Sequence, residues 1–410
     1  MQSKNIEIVS PAGNLEKMIF AVKYGADNVY FGSDRFNLRV KADNFSYDDI
    51  KDGINYCKKN NVKTTFLMNS FLHESDVDKV FDYAQKIKEL KFDSVMISDP
   101  GMLMILKQAG IDADFHLSTQ MSTLNSYSVK FWLEAGFKRI VLAREATIDE
   151  IKMIKKNTGA EIEVFAHGAL CIAYSGRCLL SRYFQTGDAN RGDCTQPCRW
   201  KYALMEEKRE GVYLPIIEHD KGTEVLSSKD LMLIERLEEY IDAGVNAFKI
   251  EGRMKSIYYT ANTTRIYKHA LRKNNTGEFK KFLPFWLEEL DLINHRPYTQ
   301  DLFNEFGEKG FDGIPYINNA IFIGYRNDEG DANNEITVKT FNPIYKEEVL
   351  DAIYPIKDEI IDSKYRVLKI FFEDKEIEMG RPNMIYRIIF DKPVFKDAIF
   401  RRRLDGKGNI

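Results

Sequence analysis

Long apolar runs are missing from this chain of 410 residues. No stretch approaches the roughly 18 uncharged apolar residues that cross a bilayer. Residues 1–8 include Lys4 and Glu7 and have no apolar run followed by a small-residue cleavage site. The sequence therefore predicts neither a membrane span nor a signal peptide, and we expect a cytoplasmic protein with no membrane partner.

A strong charge of one sign is also missing. The chain has 59 basic and 62 acidic residues, which gives a formal net charge of -3. No global positive field therefore indicates binding to nucleic acid, and any such contact must depend on a local basic patch. Charge alone does not identify a partner.

The composition is typical of a globular protein with a sizeable core, since 44% of the residues are hydrophobic and 30% are charged. A chain of this length exceeds one ordinary domain. A barrel of about 250 to 300 residues with a small companion domain would account for it. We therefore expect two domains.

Short β-branched or aromatic runs alternate with amphipathic helical patterns up to about residue 260, which is typical of βαβ units. Eight such runs are strand candidates: Ile6–Ser10, Asn28–Gly32, Lys63–Asn69, Ser94–Asp99, Asp114–Ser118, Arg139–Ala143, Glu161–His167 and Ala247–Glu251. Eight strand-helix repeats predict a closed (βα)8 TIM-like barrel. The rival architecture, a doubly wound open sheet, is disfavoured because no GxGxxG fingerprint follows the first strand.

The pattern changes towards the C-terminus. We expect the barrel over residues 1–270, a linker with some helix over 271–305 and a small antiparallel β-domain over 306–410. Short strand-like pieces separated by polar turns predict that domain. The basic run Arg401–Arg403 is interpreted as a solvated tail, with contact to an RNA backbone as the alternative.

Four of the five cysteines lie in one insert, at about residues 168–226, after the seventh predicted strand. They are Cys171, Cys178, Cys194 and Cys198, separated by six, fifteen and three residues. Disulfides are disfavoured in a reducing cytoplasm, so a metal site or reactive thiols are the preferred interpretations. The spacing leaves an iron-sulfur cluster, zinc, and disulfides or redox thiols open, although the six-residue gap is unusual for structural zinc. The fifth cysteine, Cys57, is at an apolar helical position and is expected in the core.

Several motifs are recognisable together and cover most of the predicted barrel. They are Ser10-Pro11-Ala12-Gly13-Asn14, Gly25–Gly32, the run from Glu163 through Cys171 and Cys178 to Ser181, Arg191-Gly192-Asp193-Cys194 with Gln196–Arg199, and Lys249–Lys255. This set resembles the collagenase-like peptidases of unassigned catalytic type, family thirty-two. The region after about residue 310 resembles the small β-domain of that family more faintly.

The resemblance implies a function other than proteolysis. Members of this superfamily with known roles are oxygen-independent hydroxylation factors that carry a four-iron cluster on the same cysteine pattern. They include tRNA wobble-uridine hydroxylation proteins that use prephenate, a ribosomal RNA cytidine hydroxylase and a paralogous pair that hydroxylates a ubiquinone ring. By this resemblance the four cysteines of the insert are ligands of a 4Fe-4S cluster. The expected activity is hydroxylation of a tRNA wobble uridine to 5-hydroxyuridine, with ribosomal RNA as the alternative substrate.

Two other functions stay open. The first is a peptidase acting on collagen-like or unfolded chains, although the sequence contains no HExxH or GxSxG motif. Ser175, between two cysteines of the insert, is interpreted as a turn residue and not as a nucleophile. The second is a noncatalytic, cluster-binding subunit that works only with a paralogous partner. Apart from the choice of function, the candidate protein partners are a second copy of the chain, as a homodimer, and a paralogous chain.

Polar residues near the predicted strand ends define the expected pocket, since barrel strands converge there. Glu251 is the preferred general acid or base. His167 is a candidate proton shuttle or cluster neighbour, with a structural histidine as the alternative. Arg144, Arg253 and Arg177 are candidate clamps for a dicarboxylate or an RNA phosphate, with internal ion pairs as the alternative. The remaining substrate-binding candidates are Asn69, Asp99, His116 and Gln120.

Overall fold

The structure is a computed structural model of the 410-residue chain. It describes residues 6–39, 43–171, 173, 175, 178–181, 188–197, 204–205, 213–214, 217–219, 222–224, 229–300, 316–357 and 359–404. Two of the predicted site residues, Arg177 and Cys198, lie outside the described residues. The described chain forms two compact units. The first contains residues 1–22, 26–260 and 296–316, and the second contains 23–25, 261–295 and 317–410.

Strands and helices alternate in the first 250 residues, and strands dominate after residue 317. The strands are β1 Glu7–Pro11, β2 Asn28–Phe31, β3 Lys63–Met68, β4 Ser94–Ile97, β5 Asp114–Leu117, β6 Arg139–Val141, β7 Glu161–Ala169, β8 Leu204–Met205, β9 Tyr213–Leu214, β10 Ile217–His219, β11 Gly222–Glu224, β12 Asp230–Met232, β13 Ala247–Ile250, β14 Tyr298–Thr299, β15 Ala320–Arg326, β16 Asn333–Thr340, β17 Ile344–Tyr345, β18 Val349–Ile353, β19 Ser363–Phe372, β20 Lys375–Ile377, β21 Met379–Gly380, β22 Ile385–Val394 and β23 Ile399–Arg403. The helices are α1 Leu15–Lys23, α2 Tyr47–Lys59, α3 Val77–Ile87, α4 Pro100–Ala109, α5 Ser126–Ala135, α6 Ile148–Thr158, α7 Leu237–Asp242, α8 Ile257–Thr276 and α9 Phe279–Asp291.

The first unit is a closed barrel of eight parallel strands. Strands β1 to β7 pair in chain order, and β13 completes the ring by pairing with both β7 and β1. This closure confirms the predicted barrel and excludes the open doubly wound sheet. Each of the eight predicted strands overlaps the observed one.

Local sequence signals set the ends of the barrel helices. Helix α2 begins after Ser46, which forms a reciprocal capping box with Asp49. Helix α6 begins after Thr147, which forms the same motif with Glu150. Helices α4, α5 and α6 each end at a glycine in the left-handed region, as expected for C-caps: Gly110, Gly136 and Gly159. The apolar faces of these helices are buried, and Cys57 on α2 is fully buried, as predicted.

The predicted insert follows β7, and it is described only in part. Its described pieces include two short antiparallel pairs, β8 with β9 and β10 with β11. After it, β12 pairs antiparallel with β7, and β14 pairs with β12. The chain then returns through α7 to the last barrel strand.

The second unit contains an antiparallel β-domain, as predicted. Its larger sheet has the order β18-β23-β15-β16-β22-β19-β20, and β18 also pairs with β19. Apolar side chains that alternate along these strands form its core, including Ile323, Val338, Val367, Ile388 and Phe400. Helix α9 belongs to this unit.

The structure corrects the expected linker over residues 271–305. Most of this segment is helical, since α8 extends to Thr276 and α9 spans Phe279–Asp291. Trp286 of α9 is fully buried, and Glu289 is 2% exposed. A linker would leave such side chains in water, so residues 271–295 are part of the second folded unit. Pro284 misled the sequence interpretation because it lies inside the helix.

The C-terminal arginines are not in the solvated tail that the sequence predicted. Arg401, Arg402 and Arg403 lie on β23 and not in a solvated tail. Arg401 is 1% exposed and binds Glu289 at 2.6 Å, and Arg402 binds Glu348 at 2.6 Å. Arg403 binds Glu288 at 2.5 Å. All three guanidinium groups have carboxylate partners, which offset their charge, and the alternative of an RNA contact stays a prediction.

Candidate functional site

The carboxyl ends of the barrel strands surround a small pocket of about 60 Å³, which we call the central pocket. Five of the predicted site residues line it: Asn69, Gln120, Arg144, Glu251 and Arg253. Its other lining residues are Tyr30, Leu38, Arg39, Leu67, Met96, Ser118, Thr119, Val141, Phe165 and Lys249. The pocket is at the end of the barrel where active sites of this fold occur.

Glu251 directly follows β13, and it is the one carboxylate among the lining residues of the central pocket. Its Oε1 is 3.5 Å from the guanidinium of Arg39, and the Tyr30 hydroxyl donates to Oε2 at 3.4 Å. Burial raises the pKa of Glu251, but Arg39, then Arg144, Lys249 and Arg253, bring it below its usual value. The carboxylate is therefore charged at neutral pH and can accept a proton.

Arg253 is a buried cation at the pocket wall. It is 2% exposed and donates to the side-chain oxygens of Asn37 at 2.9 Å and Asn44 at 2.7 Å. Among the described residues no carboxylate forms an ion pair with it, so the expected alternative of an Arg253–Glu251 pair is not observed. Burial lowers the pKa of Arg253 to about 10, which still leaves it charged at neutral pH. Two neutral amides orient the guanidinium without neutralising it.

Arg144 and Arg39 add two further cations to the same pocket. The guanidinium of Arg144 stacks on the Phe165 ring, 4.2 Å from its centroid. Arg39 comes from the loop after β2, and its side chain is 36% exposed. With Lys249 and Arg253, four cations face one carboxylate in the central pocket. The pocket is therefore suited to an anionic group such as a carboxylate or a phosphate.

Lys249 was missed by the sequence interpretation. It lies on β13, is 3% exposed and donates to Glu163 at 3.0 Å. Its Nζ also lies 3.9 Å from the centroid of the Tyr30 ring. The sequence does contain a signal for Lys249, because it is the charged residue in the otherwise apolar strand Ala247–Ile250, where a buried charge indicates a specific role. Arg39 lies in a loop, and no periodicity would have singled it out.

The two amide side chains at the pocket are held by nearby polar groups. Asn69 accepts a hydrogen bond from the Leu38 backbone at 3.3 Å. Gln120 accepts from Ser98 at 3.3 Å and from Ser118. Both amide nitrogens can therefore donate towards a ligand while the oxygens stay fixed.

Three predicted residues lie away from the central pocket lining. Asp99 caps helix α4 by accepting from the Gly101 backbone at 2.7 Å and from the Leu72 backbone at 2.9 Å. His116 is 5% exposed, and burial, followed by Arg139, lowers its pKa well below the usual value. His167 is 1% exposed, and its ring lies 5.4 Å from that of Tyr298.

The loop after β6 is tied to the first part of the insert. Ser175 donates its hydroxyl to Glu145 at 2.8 Å, and its backbone donates to the same carboxylate at 2.9 Å. The Arg144 backbone in turn donates to the Ser175 hydroxyl at 3.3 Å. Ser175 is 2% exposed and fully engaged, which agrees with its interpretation as a turn residue.

Three of the four predicted cluster ligands are described. Cys171 is exposed, and Cys178 and Cys194 are partly buried. Burial raises the pKa of Cys178, against hydrogen bonds from the Leu180 and Ser181 backbones. A charge on Cys171 or Cys194 would raise the pKa of Cys178 and also that of Arg39, which lines the central pocket.

The donor set suits an iron-sulfur cluster chemically, because thiolates with backbone N–H donors are its usual environment. Within the described ranges, no three His, Cys, Asp or Glu side chains are arranged to hold a metal ion. The fourth predicted ligand is outside those ranges, so the cluster stays a prediction.

The comparisons with known proteins identify the family. The sequence model of peptidase family U32 matches residues 13–310. The chain belongs to peptidase family U32. This membership confirms the resemblance on which the prediction of function was based. In the described part of this U32 chain, no helix has the length and apolar character needed to cross a membrane.

The relatives to which this chain is similar are named for two different activities, tRNA hydroxylation and collagen cleavage. The "tRNA hydroxylation protein P1" of Bacillus subtilis is 34% identical over 98% of this chain and 95% of its own length. The "tRNA hydroxylation protein P" of Escherichia coli is 34% identical over 76% of this chain and 77% of its own length. A "Collagenase" of Porphyromonas gingivalis is 33% identical over 73% of each chain.

Proposed function

We propose that this U32 protein is an iron-sulfur-dependent enzyme that hydroxylates RNA without molecular oxygen. The proposed reaction converts a tRNA wobble uridine to 5-hydroxyuridine, with prephenate as co-substrate. The observation that carries the proposal is the central pocket, where four cations and the charged Glu251 meet at the barrel mouth. The cations can bind an anionic substrate, and Glu251 can act as the proton acceptor.

The names of two relatives support tRNA as the substrate. Both are called tRNA hydroxylation proteins, and the Bacillus subtilis protein aligns along 98% of this chain. The match therefore includes the second unit as well as the barrel. In the proposed complex, RNA contacts use basic residues other than Arg401–Arg403, because those three are bound to carboxylates.

Residues of the central pocket have distinct proposed roles. Arg39 and Arg144 bind the anionic part of a substrate, and Asn69 and Gln120 orient it through their amide nitrogens. In the proposed exchange, prephenate gives its hydroxyl group to the carbon and takes up the hydrogen that it displaces, and Glu251 carries that hydrogen as a proton. Arg253 keeps the pocket positive while Asn37 and Asn44 fix its direction.

Cys171, Cys178, Cys194 and Cys198 are the proposed ligands of a 4Fe-4S cluster. Such a cluster supplies one-electron transfer when bound, and four thiolates leave no iron open for substrate. Arg39 lies 3.5 Å from the Glu251 carboxylate, and charges on Cys171 and Cys194 would raise its pKa.

Proteolysis is the second candidate function, because the Porphyromonas gingivalis relative is named a collagenase. Against it, the sequence contains neither an HExxH nor a GxSxG motif. Ser175 is buried and bound to Glu145, so it does not offer a free nucleophile. A noncatalytic subunit is the third candidate, and turnover by the purified chain distinguishes it from an enzyme.

The deciding experiment uses anaerobically purified full-length protein. We expect iron and sulfide in the protein, and 5-hydroxyuridine in hypomodified tRNA after incubation with prephenate and a reductant, measured by mass spectrometry of nucleosides. Cys178→Ala should lose iron and activity, whereas Cys57→Ala, a buried cysteine outside the insert, should keep both. Glu251→Gln should keep iron and lower turnover at least about 100-fold, as for loss of a general base.

Three other results would reject this proposal. Zinc without sulfide would remove the cluster. Cleavage of gelatin that Glu251→Gln abolishes would favour the peptidase. No tRNA product from an iron-loaded protein, together with product when a paralogous chain is added, would favour the noncatalytic subunit.

A further inference from the structure

One side of helix α5 faces solvent although it carries two large aromatic rings. Tyr127 is 82% exposed, and Phe131 is 61% exposed. Val129 is the one buried residue of this helix, and it lies on the opposite side. The outer side of a surface helix normally carries polar residues. An exposed pair of aromatic rings therefore indicates an interaction surface.

The two neighbouring helices are attached to the ends of α5. Lys107 of α4 donates to the Ala135 carbonyl at 2.9 Å, and Asn157 of α6 donates to the Ser126 hydroxyl at 3.1 Å. Each of these helices also carries an exposed methionine, which is Met104 on α4 and Met153 on α6. Exposed apolar side chains are therefore present on three consecutive helices of the barrel.

The aromatic side of α5 also carries one cation and one anion. Lys130 and Glu134 lie beside the two rings, because residues three, four and seven positions apart share one side of a helix. The Lys130 ammonium is 5.4 Å from the centroid of the Tyr127 ring. Within the described part of the chain, neither Lys130 nor Glu134 has an ion-pair partner. We call Tyr127, Lys130, Phe131 and Glu134 the α5 face.

The charges of the α5 face are complementary to those of a second copy. If two α5 helices pack antiparallel about a two-fold axis near residue 132, Lys130 of each chain meets Glu134 of the partner subunit. Phe131 then lies close to the axis and contacts its own counterpart. RNA is a poorer fit, because one positive and one negative charge give the α5 face no net attraction for a polyanion.

We propose that the α5 face is the interface of a homodimer, with two antiparallel copies of α5 at its centre. Large aromatic side chains bury about 150–250 Å² each, so Tyr127 and Phe131 together supply on the order of 300 Å². A standard interface buries about 800 Å² on each partner, and the side chains around α5 are available for the remainder. This inference is independent of the proposed function, because neither the central pocket nor the proposed cluster ligands include α5.

Charge reversal on the full-length protein tests this arrangement. We expect mainly dimer at about 50 µM chain, measured by analytical ultracentrifugation. Lys130→Glu should raise the dissociation constant of the dimer at least about ten-fold, because it places two glutamates together across the interface. Glu134→Lys should do the same with two lysines. An equimolar mixture of the two variants should restore the dimer, because one chain then offers two anions and the other two cations.

Two more variants complete the set. Phe131→Asp should also yield a monomer, because it places two carboxylates near the two-fold axis. Lys51→Glu reverses an exposed charge on α2, outside the α5 face, and should leave the dissociation constant unchanged. Circular dichroism confirms that each variant is folded, and the restored dimer in the mixture is itself evidence that both charge variants are.

A wild-type chain that is still monomeric at about 100 µM would overturn the proposal. A dimer that Lys130→Glu, Glu134→Lys and Phe131→Asp all leave intact would overturn it too, since the interface would then lie elsewhere. A mixture of the two charge variants that stays monomeric would reject the antiparallel arrangement. A monomeric protein whose tRNA affinity falls in Phe131→Asp would assign the α5 face to RNA instead.

Discussion

At the scale of single residues, the barrel interior depends on a chain of buried charges. Lys249 binds Glu163 at 3.0 Å, Arg139 lies 3.4 Å from the same carboxylate, and Arg139 also binds Glu7 at 2.7 Å. Glu163 is fully buried. Removing one partner from such a group leaves an uncompensated buried charge. The loss in folding free energy is then larger than the stabilisation that the ion pair itself provides.

Lys249→Met should therefore destabilise the protein by about 3–5 kcal/mol, measured by urea unfolding. The double variant Lys249→Met with Glu163→Gln should recover at least about 1 kcal/mol, because the carboxylate that lost its lysine, and that Arg139 contacts only at 3.4 Å, is then neutral. Lys138→Met, which breaks the exposed pair with Asp114, should change stability by no more than about 1 kcal/mol. A double variant that is less stable than Lys249→Met would contradict this account.

The candidate site could be predicted in part at this scale. Glu251, Arg253 and Arg144 follow strand ends, and strand ends in a barrel converge, so the sequence was sufficient to place them together. The partners of Arg253 could not be predicted, because Asn37 and Asn44 lie in a loop without periodicity. Asp99 also follows a strand, but its carboxylate caps α4, a role that strand position alone does not distinguish.

At the scale of elements, the segment Glu251–Arg253 is enclosed by two glycines of neighbouring strands and loops. A Cβ at Gly13 would lie 2.2 Å from the Arg253 carbonyl oxygen, and a Cβ at Gly168 would lie 2.4 Å from that of Glu251. Both distances are too short for any side chain. The backbone path of Glu251–Arg253 is therefore set by close packing as well as by hydrogen bonds.

Gly168→Ala should destabilise the barrel by about 3 kcal/mol or more and lower activity, because it combines this contact with a φ of +108°. Gly159 is the matched control, since its φ is +65° and a Cβ there meets nothing within 4 Å. Gly159→Ala should lower the free energy of unfolding by about 1–2 kcal/mol and leave turnover unchanged. Thermal unfolding and nucleoside analysis of both variants provide the comparison. Similar effects of the two substitutions would mean that contact with Glu251 is unimportant.

Periodicity was sufficient to predict most elements of the barrel. All eight predicted strands overlap the observed ones, since parallel strands buried on both faces give continuous apolar runs. Within the predicted linker, residues 279–291 were misjudged because Pro284 and nearby polar residues resemble a linker, whereas burial of Trp286 stabilises helix α9. Tertiary packing overrides local propensity in that case.

At the scale of the whole molecule, the second unit has its own buried charges. Glu289 of α9 binds Arg265 at 2.6 Å and Arg401 at 2.6 Å, and Arg265 also binds Asp362 at 2.8 Å. Despite burial, these arginines lower the pKa of Glu289 to about 2. Nearby, the indole of Trp286 donates to Nδ1 of His269 at 3.1 Å, which requires that nitrogen to be unprotonated.

Mild acid should destabilise this second unit. Burial, followed by Lys273 and Arg272, lowers the pKa of His269 to about 4. Between that value and its usual pKa near 6.5 the unfolded chain binds a proton that the folded chain does not, so stability falls as pH falls. Urea unfolding followed by tryptophan fluorescence should show a loss of about 2 kcal/mol from pH 7 to pH 5.

His269→Gln should reduce this dependence on pH, and substitution of the exposed His73 should not. An unchanged dependence in His269→Gln would assign the acid sensitivity to other groups.

Strand β23 is central in the second unit, between β18 and β15, and it carries Arg401 to Glu289. On a ribosome, β15 and β18 are made first and have no partner at these edges until residue 403 has been synthesised. The barrel has by then emerged with its eighth strand, which ends at Ile250. Domains fold as units and in the order of synthesis. The barrel is therefore free to fold during translation. The β-domain cannot complete its sheet until β23 has been made, so β15 and β18 keep unpaired edges for longer. We expect this domain to depend on chaperones more than the barrel does.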